Sequence, residues 1–293
     1  MEYCFRPRRS MLYVPGCNLH YLERARTLQA DSVILDLGDP ILIEAKIRSR
    51  DNVAAAVKQG GYGAREVVVR VNDLDSIWGA DDIKAVANIG ADAILFPNME
   101  SREDVLKALA MLDAAGGAHM PIMVMIESPI AVLNVKEIAS ASDRISCILM
   151  ATTDLISQLH AHENHERSAI LTSLSLVILA ARAYGRCVVD GIASDFKNMH
   201  AFEYACRLGR DMGFDGKSLI HPAQIAYSND AYTPKAAEVA HAREIIKALK
   251  EAKEGGRGTV VVNDRLVENH NVKAAERLIQ LSEMIAELEE EYI

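Results

Sequence analysis

Two short apolar runs of this chain end in acids: Glu127 closes PIMVMIE, and Asp154 follows ISCILMATT. Each run has the length and composition of a buried strand, so each carboxylate falls where a strand gives way to a loop. A charge in such a place is costly unless a partner or a metal holds it. Two such groups on successive strands can converge on one hard cation, which prefers oxygen ligands. Asp36 and Asp39 in SVILDLGDP, and Arg70 in VVVRVN, close two further runs. The arginine fork matches carboxylate or enolate oxygens and stays charged. Together these residue types suit a metal and an anionic substrate.

The elements that must position them are strand-like runs alternating with segments of helical period. The runs are Met11–Val14, Ser32–Leu37, Val67–Val71, Ala93–Pro97, Ile122–Ile126, Ile145–Met150, Val188–Ile192 and Lys217–Ile220. Between them, segments such as Tyr21–Gln29, Arg102–Ala114, Ala131–Ala139 and Met199–Met212 repeat apolar residues at spacings of three and four. Eight such repeats predict an α/β fold, a closed (β/α)₈ TIM barrel over residues 1–233. No GxGxxG follows a strand, which weakens a dinucleotide-binding alternative. In a barrel the catalytic groups sit at the C-terminal strand ends, here Asp36, Asp39, Arg70, Asn72, Asn98, Glu127, Asp154 and Asp190. Residues 234–293 form a second region: a helix over Pro234–Ala252, a flexible break at Glu254–Gly258, a β-like TVVV, a polar turn NDRLVENHN and a helix from Val272. The narrow seam Ala274, Leu278, Leu281, Ile285 and Leu288 fits either packing on the barrel or a lid and oligomerisation segment, and the second is favoured.

The 293 residues are 50% hydrophobic, enough for one large core or two domains, and the formal charge of −9 argues against a general nucleic-acid binder. The cysteines Cys4, Cys17, Cys147, Cys187 and Cys206 share no CxxC spacing. No signal-like or membrane-length apolar stretch occurs, so a cytoplasmic protein without a membrane partner is expected.

At this point the residues match a family. RRSMLYVPG at 8–16, SVILDLGDP at 32–40, VVVRVN at 67–72, ADAILFPN at 91–98, IESPIAV at 126–132, TTDL at 152–155, FDGKSLIHPAQI at 214–225 and YTPKAAEVAHAREI at 232–245 together resemble the citrate lyase β-subunit-like lyases of the HpcH/HpaI aldolase superfamily. The resemblance implies Mg²⁺-dependent cleavage of a β-hydroxyacyl-CoA thioester of malyl, citramalyl or citryl type to acetyl-CoA and a 2-oxo acid. Citramalyl-CoA is the leading expectation, by analogy. It further implies Glu127 and Asp154 as metal ligands, Arg70 facing the substrate's carboxylate and carbonyl oxygens, and Arg9 at the mouth of the site. Glu268 would be the lid acid that protonates the acetyl carbanion, in several members supplied by a neighbouring subunit of a homo-oligomer, trimer or hexamer. Rival readings are a citrate lyase β subunit acting on citryl-acyl-carrier protein, a thioester-binding homologue with impaired catalysis, and a malyl-CoA thioesterase.

The chain departs from the family pattern inside the site. Gly38 stands for a glutamate, Asn98 for a lysine, Thr152 and Thr153 lie in a turn that commonly reads GAED, Glu268 replaces an aspartate, and His270 a proline. Blander roles are open for several residues. Glu127 or Asp154 could cap a helix, and Asp36 and Asp39 could orient metal waters or pair with Lys46 or Arg50. His221 is expected to end the eighth strand and shape the thioester site. His160, His162 and His165 lack a metal-site spacing and read as a solvated loop.

Overall fold

The computed structural model of the chain describes residues 6–255, 258–263 and 265–292. Eight parallel strands pair in sequence order and close on themselves: β1 (Ser10–Pro15), β2 (Ser32–Asp36), β3 (Glu66–Arg70), β4 (Ala93–Phe96), β5 (Ile122–Ile126), β6 (Ile145–Met150), β7 (Cys187–Asp190) and β8 (Gly216–Leu219). All eight expected runs are strands, and the (β/α)₈ barrel is the fold. Closure runs from β8 back to β1, with Met11 opposite Ser218. Gly216 makes it possible: a Cβ there would stand 1.8 Å from the Arg8 carbonyl oxygen.

Strand parity sorts the side chains into two layers. Met11, Ile34, Val68, Leu95, Met123, Cys147, Leu149 and Val189 pack together inside the barrel. Their neighbours along the strands, such as Leu12, Val33, Val69, Ile94, Val124 and Ile148, pack outward against the helices. Each such side chain, removed from water, contributes about 1.5–3 kcal/mol. Burial on both faces is why the strands read as continuous apolar runs rather than alternating ones.

The helices Arg102–Ala114 and Met199–Met212 have the bounds their periodicity predicts. Ala131–Ala139 is two helices instead, Pro129–Leu133 and Val135–Ser140, meeting at Asn134.

Residues Met1–Tyr232 form one compact unit and Thr233–Ile293 another. Within the second, the helices Ala236–Glu254 and Asn269–Glu290 flank an antiparallel hairpin, β9 (Val260–Val262) with β10 (Arg265–Val267). The expected polar turn therefore contains a strand, because β9 supplies the hydrogen bonds that RLV lacks locally. In the last helix Ala275, Ile285 and Leu288 are the buried residues, so the seam begins one position later than Ala274. The proposed break at Glu254–Gly258 includes Gly256 and Arg257, which lie outside the described residues.

Candidate active site

The C-terminal ends of the strands surround a cavity of about 470 Å³, lined among others by Tyr13, Asp36, Asp39, Arg70, Met125 and Asp154. β2 and β3 bring Asp36 and Arg70 level with each other in register. Arg70 Nη1 lies 3.3 Å from Asp36 Oδ2, and Nη2 donates to Asp39 Oδ2 at 2.6 Å. Asp36 also accepts the Gly38 N–H at 2.7 Å. Burial pushes the Asp36 carboxyl above its ordinary value, with Arg70 opposing. Burial likewise works against the Arg70 charge, but Asp36 and Asp39 outweigh it and hold the guanidinium above its usual range.

The alternative partners expected for the two aspartates are engaged elsewhere. Lys46 donates to the carbonyls of Leu37 and Gly38 and to Asn72 Oδ1, and Arg50 pairs with Asp82 at 2.7 Å. Lys46 stays close enough to feel both aspartates, but among the described residues Arg70 is the cation that forms ion pairs with Asp36 and Asp39.

Glu127 follows β5 directly and is buried. It is not the helix cap, because Ser128 accepts the Ala131 N–H at 3.2 Å. Its Oε1 is enclosed without a hydrogen-bond partner. Burial pushes its carboxyl up to about 7; Arg70 opposes this, Asp154 and Asp39 add to it, and the Asn98 backbone N–H offsets part. Asn98 holds φ +53° and ties its side chain to Asp73 at 2.6 Å, so it turns its backbone rather than its side chain to the site. Asp154 lies exposed in the first turn of the helix Thr152–Gln158, whose N-cap is Ala151.

A buried carboxylate oxygen with no donor, next to a second carboxylate, fits a hard cation. Among the described residues no three His, Cys, Asp or Glu side chains surround one point. Two protein oxygens and water or substrate oxygens would complete a Mg²⁺ shell, which ordinarily keeps several waters.

Arg9 is not at the mouth. It precedes β1, and its backbone N–H, Nε and Nη2 all donate to the Asp31 carboxylate at 2.8–2.9 Å, with 1% of the residue exposed. It stands four residues, about 13 Å of strand, before Tyr13, the first β1 residue that lines the cavity. Its pairing holds the opposite rim of the barrel. Asp190 is likewise structural: it is wholly buried, bridged by Arg167 at 2.6 and 2.8 Å and by Lys217 at 2.7 Å. A second cavity of about 710 Å³ lies beside this network.

His221 follows β8 and caps the turn Pro222–Gln224, its Nδ1 accepting the Ala223 N–H at 3.1 Å while its ring stacks on Phe196. Glu268 caps the last helix of the second unit, exposed beside His270. His160 and His162 are exposed, and His165 stacks on Tyr204 at 3.8 Å. Tyr13 was not foreseen as a site residue. The signal for it was parity: it lies two positions before Pro15, on the strand face shared with Met11.

The family model for HpcH/HpaI aldolase/citrate lyase matches residues 9–222. The chain is 39% identical to a (3S)-malyl-CoA thioesterase of Cereibacter sphaeroides strain ATCC 17025, over 96% of both chains. It is 33% identical to the citrate lyase subunit beta of Escherichia coli K12, over 95% of this chain and 94% of that one. Among solved structures, the citrate lyase beta subunit of M. tuberculosis complexed with oxaloacetate and magnesium superposes with a TM-score of 0.66 at 25% identity, covering 78% of this chain and 98% of that one. The chain belongs to the HpcH/HpaI aldolase/citrate lyase family.

Proposed function

We propose that the chain is a Mg²⁺-dependent carbon–carbon lyase that cleaves a β-hydroxyacyl-CoA of malyl, citramalyl or citryl type to acetyl-CoA and a 2-oxo acid. The observation that carries the reading is the buried Glu127 carboxylate, one oxygen unpartnered, within electrostatic reach of Arg70 and Asp154, both of which line the barrel-mouth cavity. The malyl type leads over the citramalyl expectation, because relatives 39% identical over nearly the whole chain are named for malyl-CoA.

Glu127 and Asp154 would hold the cation. Mg²⁺ there would supply Lewis-acid chemistry at the substrate hydroxyl and a template for a chelating oxo acid. Arg70, kept charged by Asp36 and Asp39, holds the substrate's carboxylate or carbonyl oxygen and balances charge as the C–C bond breaks. Glu268 is the proposed proton donor to the acetyl carbanion, and the chain is proposed to form a homo-oligomer. Among the described residues no helix is long and apolar enough to cross a membrane.

The name of those same relatives favours a second reading, hydrolysis of the thioester. One assay separates the two. With Mg²⁺ and malyl-, citramalyl- or citryl-CoA, a lyase yields a 2-oxo acid and acetyl-CoA in equal amounts, whereas a thioesterase yields free thiol and no oxo acid. Thiol release without oxo acid would overturn the lyase reading in favour of hydrolysis.

A further inference from the structure

Tyr13 stands on the inner face of β1, which is four strands away from β5 in the closed barrel. Its phenol reaches across to β5, where the hydroxyl lies 3.9 Å from Met125 Sδ. It thereby floors the cavity that Arg70 and Asp154 line. A thioether is a weak acceptor, so among the described residues this hydroxyl has no strong acceptor to compete with a substrate oxygen. The charges that act on it are Arg70, then Asp36, Glu127 and Asp39. Burial pushes the phenol well above its ordinary value, so it remains an O–H donor throughout the neutral range.

We propose that the Tyr13 hydroxyl donates a hydrogen bond to the substrate oxygen that Arg70 faces, so that the two residues form a paired anion-binding floor. This rests on the reading of the cavity as the active site. The geometry separates two jobs of the side chain. The ring fills the width of the barrel against Met125, which a phenylalanine would do equally well. The hydroxyl adds a donor whose contact with the Met125 thioether leaves it able to turn to a ligand. A neutral donor has a further advantage here: three carboxylates, Asp36, Asp39 and Glu127, already face one arginine, and an O–H satisfies an incoming oxyanion without drawing those carboxylates toward itself as a second cation would. A donor already held in place by the barrel wall costs no reorganisation when the oxyanion arrives.

The test compares wild type, Tyr13→Phe and Arg70→Gln, each with Mg²⁺, by turnover of the thioester panel and by calorimetric binding of pyruvate. Tyr13→Phe is expected to keep its melting temperature, to bind pyruvate on the order of tenfold more weakly, and to lose on the order of 10²-fold in kcat/KM. Pyruvate affinity and kcat/KM within about twofold of wild type in Tyr13→Phe, while Arg70→Gln loses both, would overturn the role of Tyr13 and leave the site assignment standing. If neither variant changed either quantity, the cavity would not be the anion site, and both readings would fall together.

Discussion

Arg70 Nη2 and Asp39 Oδ2 meet at 2.6 Å, yet the Asp39 side chain is 87% exposed and that of Arg70 only 9%. The pair spans the border between cavity and solvent. An ion pair with one member in water contributes at most about 1 kcal/mol. Asp39→Asn should therefore leave the urea midpoint almost unchanged. Asp36→Ala should cost about 3 kcal/mol, because it strips a buried partner from a buried guanidinium. Equilibrium unfolding of the two variants checks the order, and a larger loss for Asp39→Asn would contradict it.

Glu127 should show opposite effects on stability and on metal binding. Its carboxylate is buried with one oxygen unpartnered, so Glu127→Gln removes a desolvated charge. In metal-free buffer the variant should melt no lower than wild type. Calorimetry should at the same time show the Mg²⁺ binding heat lost, and Mg²⁺ should restore activity after chelation in wild type only. A variant that binds Mg²⁺ as wild type does would remove Glu127 from the metal site.

Acid stability should trace to Asp190. Burial alone would raise its carboxyl, but Lys217 and Arg167 outweigh burial and hold it below the ordinary value. The folded chain then binds fewer protons here than the unfolded chain, so this contribution is fully present above about pH 4 and fades as pH falls through the depressed value. Asp190→Asn should flatten the acid limb of urea midpoints against pH. At neutral pH it should cost about 3–5 kcal/mol, since two buried cations lose their counter-charge.

Gly38 marks a site with little room. A Cβ there would lie 3.0 Å from Asp36 Oδ1 and 3.1 Å from Arg70 Nη1. Gly38→Ala should push the guanidinium off its aspartates and lower kcat/KM by roughly tenfold, a small misplacement of a positioned group. Thermal stability should change by no more than about 1 kcal/mol. Steady-state kinetics and a melting curve on the same sample separate the two effects.

Much of this molecule was legible in its residues. Eight apolar runs with helical segments between them specified the barrel, because strands buried on both faces leave a compositional mark that needs no tertiary information. The same runs put Glu127, Asp36 and Arg70 at strand ends and Asp154 in the first helical turn after β6. The break at Asn134 and the strand Arg265–Val267 were not visible, since the first is local geometry and the second depends on hydrogen bonds from β9.

What the sequence by itself determined is that Asp36, Arg70 and Glu127 reach the C-terminal end of the barrel strands. Which of them meet was decided only by the tertiary structure. Closure set Asp36 beside Arg70, sent Lys46 and Arg50 to other partners, and carried the Tyr13 hydroxyl across the barrel to Met125. It also placed Arg9 against Asp31 at the far rim, although its motif had suggested the mouth. The physical reason is that position along a strand is a local property, written in the chain. The partner of a charged side chain depends on register and inward or outward parity across strands far apart in sequence, and these are fixed when the barrel closes.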